Sequence, residues 1–473
     1  MSSPNISFDR IPASIRKPGK YIEFNSRLAV RTLPSNAQRL LIVGQMTAAG
    51  TTPAGVPVGV FDAATAGVLF GRGSLAHLMV AAAISANRYA RITVLPLADA
   101  GTGVAAQGTV TFAAAATAAG SVTVVVAGRT LQVALASGTT AAQAAAAVQA
   151  EMAKQMDWPC TAAVAGAAIT LLAKNKGTVM NGVAVTAASD TTGLTVSTAG
   201  FAGGLNDPDL AAALASVFTA SEEVLVWPWA NQAALGLLRT HLTDRAGPME
   251  QRGAVGLYAM TGTLSAATTL AGQVNHERLS CAFLPGSSTT AFELAAAYGG
   301  VVSFEEDPAR PLNTLELVGV NVPPLASRLS RTEQEVCLVN GVTPLEVGPG
   351  ERVQVVRAIT TYTLDPQGIA DIAWLDLTTI RTMDYVRLAV RTRLALRFPR
   401  EKLSARTPDK VRGEILGVLF QMEELEIVEA VEANKAGVIV ERDSQDPNRL
   451  NARIPTDVVN GLHVLAVRLD LLL

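Results

Sequence analysis

Composition breaks sharply at Ala100, and that break limits the folds open to this chain. Residues 101–205 carry only seven charged side chains and are dominated by Ala, Gly, Thr and Val. Short β-type runs recur there (GTVTF, SVTVVVAG, RTLQVAL, AAITLLA, GVAVTA), separated by glycine turns. One alanine-rich helix is expected over about 140–155, opened by Thr140 as its cap. The segments on either side have a different period. The spacing therefore predicts a small β-rich domain, 101–205, inserted into an α/β unit formed by 38–100 and 206–322. Insertion is tolerated where a domain's two ends lie close together.

The first half of that unit reads as strand, helix, strand. An apolar run at 39–44 (RLLIVG) ends at glycine, 74–87 is a buried helix capped by Ser74, and 89–96 (YARITVLP) is a second strand. This spacing predicts a parallel βαβ unit. After the insert the alternation resumes. A helix is expected over 207–218 with Pro208 at its first position, then strands at 224–228, 254–260 and 278–283. Helices are expected at 232–242, 264–273 and 291–298. The fold class expected is α/β, with a doubly wound central domain.

A boundary is expected at Val322-Pro323-Pro324, opening an α+β domain over 323–462. Ser330 and Glu333 form a capping box for a helix to Val339. Strands follow at TPLEV and along ERVQVVRAITTYTL. Long helices are expected from Leu377 to Phe398, and from Thr407 as cap through the acidic stretch ending at Glu432. The runs VIVERD and NARIP follow as further short extended segments.

Both ends read as arms. Residues 1–37 contain four prolines and no helical period, with one short strand possible around YIEFNSR; a polar arm of this kind buries too little surface to fold alone. Residues 463–473 (HVLAVRLDLLL) alternate with period two and have no polar tail. A strand this apolar must pair with something.

The 473 residues are 49% hydrophobic and 16% charged, enough to bury several cores, with a net charge of −2 that does not steer the chain toward nucleic acid. No run of about 18 strongly apolar residues predicts a membrane span, and the start lacks the pattern of a secretory signal. Cys160, Cys281 and Cys337 show neither disulfide nor zinc spacing, and the four histidines show no metal spacing, so no metal or cofactor is expected. Gly71-Arg72-Gly73-Ser74-Leu75-Ala76 loosely matches a dinucleotide fingerprint, but Asp99 is poorly placed as its acidic partner, and a tight turn with a serine cap is the better reading. A triad such as Asp62, His77 and a later serine is permitted by order alone, without a nucleophile elbow. Residues 381–412 hold ten Lys or Arg against three acids. Arg387 and Arg391, and Arg393 and Arg397, sit four apart, so each pair shares a helix face; this basic strip reads equally as solvated surface or as a docking strip for an acidic protein.

Several stretches resemble the tail sheath proteins of Mu-like contractile phages: FGRGSLAHLM at 70–79, FAGGLNDPDL at 201–210, DPARPLNTLELVGV at 307–320, TTYTLDPQGIADIAWLDLTTIRTMDYVR at 360–387 and ERDSQDPNRLNARIPTDVVNGLHVLAVRLDL at 441–471. The resemblance implies a structural protein and no enzyme. It implies a subtilisin-like central fold, an outward-facing insert and a C-terminal domain facing the tail tube. Strand exchange between subunits would use Tyr21, Ile22, Glu23 and Phe24 at one end and Val464, Leu465, Ala466, Val467 and Leu469 at the other. Arg387, Arg391, Arg393 and Arg397 would form the tube-facing strip. The implied partners are other copies in a helical stack, the tail tube protein, and baseplate and tail terminator proteins, in a virion tail assembled in the host bacterial cytoplasm and contracting at host entry. The readings from other classes are a subtilisin-like hydrolase, which needs a convergent Asp, His and Ser, and a secreted adhesin or surface-layer protein, which needs a secretion signal.

Overall fold

Alternate residues of the strand Arg39–Gln45 (β1) are buried on opposite sides: Leu40 and Ile42 join one apolar cluster, Leu41 and Val43 another. A strand buried on both faces belongs inside a sheet covered by helices on both sides. The computed structural model, which describes residues 16–22 and 33–472, shows that sheet. Its other strands are Val58–Val60 (β2) and Arg91–Leu97 (β3) before the insert. After it come Val224–Val226 (β11), Val255–Met260 (β12), Leu279–Phe283 (β13), Thr343–Gly348 (β14) and Arg352–Val355 (β15). The order is β15-β14-β13-β12-β11-β1-β3-β2, parallel from β14 to β3 and antiparallel at the two edges. Helices Ala63–Phe70 (α1), Leu75–Ala86 (α2) and Ala291–Phe304 (α7) cover one face. Leu210–Ser216 (α4), Gln232–Ala246 (α5) and Leu264–Val274 (α6) cover the other.

The insert has two sheets and one helix. Ala105–Ala113 (β4), Cys160–Ala165 (β7), Ala168–Lys176 (β8) and Thr195–Ala202 (β10) form the first sheet; Gly120–Val126 (β5), Arg129–Leu135 (β6) and Val185–Ser189 (β9) form the second. Ala141–Ala153 (α3) opens with a Thr140–Gln143 capping box and buries Ala144, Ala145, Val148 and Met152. The inward residues Ala106, Val110 and Phe112 belong to the same continuous apolar cluster as Leu40 and Ile42. Polar contacts reinforce that junction. The Asn175 amide oxygen accepts from Leu75 N, an amide of the first turn of α2, while its NH2 donates to Met46 O and to Asp99. Arg129 pairs with Glu293 at 2.6 Å.

The expected boundary at 322 is not where the sheet ends. After Arg331–Val339 (α8), with its Ser330–Glu333 capping box, β14 and β15 complete the same sheet. The long strand expected in ERVQVVRAITTYTL is cut to Arg352–Val355, because beyond it Thr360 and Thr361 turn their backbone amides to Leu375 and Leu279. Helix α4 starts at Leu210 with Asp209 as its cap, so Pro208 lies outside it: the Asp209 carboxylate reaches Ala212 N and fixes the start there.

Leu377–Arg397 (α9) leaves this body. Its first turns, Leu377 and Ile380, belong to the α/β core, while Tyr385, Val386, Ala389 and Val390 belong to a separate cluster with Thr407–Glu424 (α10). Helix α10 has Arg406 at its cap position and Pro408 in its first turn; the Thr407 hydroxyl instead donates to Lys402 O. It stops at Glu424, since Glu426 and Ala430 adopt positive φ and break the run expected to reach Glu432. The unit is completed by Val428–Glu429 (β16) paired with Asp457–Val458 (β19), Val431–Asn434 (α11), and the hairpin Ile439–Arg442 (β17) with Leu450–Arg453 (β18).

Candidate assembly interface

The final described segment, 459–472, forms no strand or helix. Its apolar side chains stand in solvent: Val464 is 80% exposed, Leu465 79%, Val467 70% and Leu469 92%. Among the described residues the expected C-terminal strand pairs with no sheet of its own chain. At the other end Tyr21 and Ile22 are likewise exposed and outside any strand; the Tyr21 hydroxyl donates to Lys17 O. Glu23 and Phe24 lie outside the described residues. The N-terminal segment is anchored at 33–38, where Tyr385 of the C-terminal cluster donates its hydroxyl proton to Pro34 O and Asn36 donates to Glu306 O of the α/β body.

Open edges exist on the same molecule. The hairpin β17–β18 pairs Ile439 to Arg442 with Arg453 to Leu450, and among the described residues no third strand extends it. Its outer edges therefore present unpaired main-chain donors and acceptors, a template for another strand.

The four arginines do not form one basic strip. The helical period splits them as expected into two pairs, but each is engaged within the chain. The Arg387 guanidinium donates to Ala246 O at 2.7 Å and Arg391 to Gln251 Oε1 at 3.2 Å, both reaching back to the α/β body. Arg393 donates to Glu414 and Gln421, and Arg397 lies 3.4 Å from Glu414, both facing α10. Only Arg391 is exposed. A cation on a helix packed between two elements finds carbonyls and carboxylates nearer than any outside partner.

One of the three acids in that basic segment has an internal role. Asp384 receives a bidentate pair from the buried Arg278 of the α/β body, at 2.6 and 3.0 Å. An isolated acid within a basic helix is the sequence signal that could have located this joint. The joint is not sealed by apolar packing: a groove of about 840 Å³ runs between α5 and α9, lined by residues including Ala246, Trp374, Met383 and Val390.

The residues weighed for chemistry serve packing. Ser74 caps α2, and His77 Nδ1 accepts from Gly73 N. A side chain at Gly73 would meet the Trp158 carbonyl at 2.3 Å, so the insert occupies the space a phosphate would need in a dinucleotide site. Asp62 caps α1, accepting from Thr65 N and its hydroxyl. His241 packs edge-on against Phe218, and burial together with Arg245 lowers its pKa to about 4. His276 is likewise lowered to about 4, chiefly by burial. Burial pushes the Cys160, Cys281 and Cys337 thiols up to about 12. Among the described residues no group of three His, Cys, Asp or Glu is placed to hold a metal, and no helix is long and apolar enough to cross a membrane.

Residues 203–361 match the phage tail sheath protein central domain, and residues 370–471 the phage tail sheath C-terminal domain. Over 99% of its length the chain is 32% identical to the Mu-like prophage FluMu tail sheath protein of Haemophilus influenzae, all of which is covered. The chain belongs to the phage tail sheath family. It is a structural tail sheath protein of contractile injection systems, a family that is not a class of enzymes. Its fold is shared by the crystal structure of the sheath tail protein from Desulfitobacterium hafniense, 14% identical with a TM-score of 0.52, covering 94% of this chain and 97% of that one. A chain of the PVC sheath complex in its contracted state shares it at 10% identity and a TM-score of 0.51, covering 97% and 98%. The two matched sheath domains meet between 361 and 370, close to where α9 leaves the sheet.

Proposed function

We propose that this sheath chain polymerises helically around a tail tube by lending its two ends to neighbouring copies, and that contraction of the lattice drives the tube through the host envelope. The carrying observation is the pairing of an unmet need with an open template: an apolar tail without a partner, and a C-terminal hairpin with free edges. Nine extended residues, 464–472, reach roughly 30 Å, enough to cross to an adjacent subunit. There Val464, Leu465, Ala466, Val467 and Leu469 would add a strand, with Tyr21, Ile22, Glu23 and Phe24 adding another from a second neighbour. Head-to-tail contacts that do not close generate a helix, which is what enclosing a tube requires. Two tethers per subunit let rigid bodies re-dock without detaching.

In this reading the central domain is subtilisin-like in arrangement, which the strand order stepping out from β1 through β3 on one side and β11 to β14 on the other supports. The insert faces outward and the C-terminal unit faces the tube, with Arg391 as the basic side chain of the four available to an acidic tube. Baseplate and terminator proteins cap the stack, in a virion tail assembled in the host cytoplasm. Deleting 464–473 is expected to leave a folded subunit that forms no sheaths in negative-stain micrographs; sheaths of normal length from the truncated chain would refute strand lending by this end.

A further inference from the structure

The tail leaves the chain from the C-terminal unit, after β19, yet its root is not held there. Gly461 lies against Pro311 so closely that a Cβ would stand 2.5 Å from the proline Cγ. Two residues on, the His463 ring is mostly covered, its side chain 15% exposed, with Nδ1 accepting from Asn313 Nδ2 at 3.0 Å and Nε2 beside Asp376 Oδ1 at 3.5 Å without a hydrogen bond. Asp376 is itself fixed, receiving Arg357 Nε and Nη2 at 2.8 and 2.7 Å.

Every member of this clamp belongs to the α/β body. The segment holding Pro311 and Asn313 is tied to β15 through Thr314 N to Val355 O and Leu317 N to Val353 O, and Leu312 and Leu317 sit in the body's core. Asp376 bridges to Ile359 beside β14, and Leu377 next to it is in the same core. The next residues, from Val464 on, are exposed. The ring is thus the last point at which the chain is gripped.

We infer that His463 is a positioning residue that fastens the root of the C-terminal arm to the α/β body, so that the arm's direction follows that body while the accepting hairpin β17–β18 follows the C-terminal unit. The inference rests on the strand-lending reading and adds to it which body carries the donor. Donor and acceptor then sit on opposite sides of the α9 joint, and any rotation at that joint changes the strain on the tether. Fixing the root also narrows the volume the arm searches, which raises its effective concentration at a neighbour's edge.

The test uses the full-length, unassembled subunit carrying spin labels at Ala466→Cys and, on α6, Ser265→Cys; the native cysteines are buried. The distance distribution between the labels should be narrow in the parent. It should broaden about twofold in His463→Ala and in Asn313→Ala, which removes the grip from the other side, at an unchanged thermal midpoint. The same two variants without labels should polymerise with about tenfold lower yield. A distribution that is already broad in the parent, or unchanged in both variants, overturns the clamp. Broadening without loss of polymer overturns its role in assembly. Failure of the underlying reading is separate, because it shows as normal polymerisation after deletion of 464–473, whatever the label widths.

Discussion

The insert and the C-terminal unit are both attached to the same α/β body, but in physically different ways. The insert shares the body's apolar cluster without interruption, and its junction is closed by a buried amide, Asn175, that satisfies groups on α2, on the end of β1 and on Asp99. The C-terminal unit has a cluster of its own, and it meets the body beside an open groove through α9, the Arg278–Asp384 ion pair, bonds from Arg387 and Arg391, and the return of the chain at Gly461 and His463. Interiors packed to crystal density move as one piece, whereas interfaces built of a few polar contacts can exchange them. The insert therefore shares the body's packing, whereas the contacts at the α9 joint are of the kind that can exchange.

The sharpest way to break this comparison is to remove the ion pair at the joint. In Asp384→Ala the Arg278 guanidinium stays buried without its counter-ion, a loss of about 3–5 kcal/mol. Hydrogen exchange should then show early opening of α9 and α10 while β1 and β12 keep their protection. Uniform loss of protection would mean that the joint and the body are one cooperative unit. The matching change on the other side is Asn175→Ala, which strands an amide of α2, the Met46 carbonyl and one bond to Asp99, about 2–3 kcal/mol in all. Here denaturant unfolding should stay a single transition for insert and body together; a separate, earlier melting of the insert would show that the shared core does not couple them.

Acid should act unevenly on the two regions, with a smaller effect. His241 and His276 are both in the α/β body, and their folded pKa values of about 4 lie below the ordinary value near 6.5. Between those values the unfolded chain binds more protons than the folded one, so this contribution to stability is intact above about pH 6.5 and falls as pH drops toward 4. A loss on the order of 1–2 kcal/mol per histidine is expected between pH 7 and 5. No histidine lies within 377–462, so the C-terminal unit lacks this term. Stability measured against pH should be flatter in His241→Leu than in the parent; an identical slope would remove His241 as a source.

Much of the architecture was legible in the sequence. The compositional break marked the insert, the alternation of strands and helices marked the parallel sheet, and caps at Ser74, Thr140 and Ser330 are where the sequence places them. These are local signals, set by period and by which side chain can satisfy a free helix amide. The edges of the sheet were not legible. TPLEV read as part of a new domain opening at 323 because Val322-Pro323-Pro324 interrupts the chain, whereas pairing of Thr343 with Ala282 is a long-range event that proline punctuation does not report.

The same division runs through the interface. The apolar alternation of the tail is written in HVLAVRLDLLL itself. Which arginines are free, where Asp384 goes and what holds His463 depend on residues up to about 150 positions away meeting in space. A charge is neutralised by whatever the fold brings within a few ångströms, so only tertiary structure decides it, while the period of apolar side chains is a property of the chain alone.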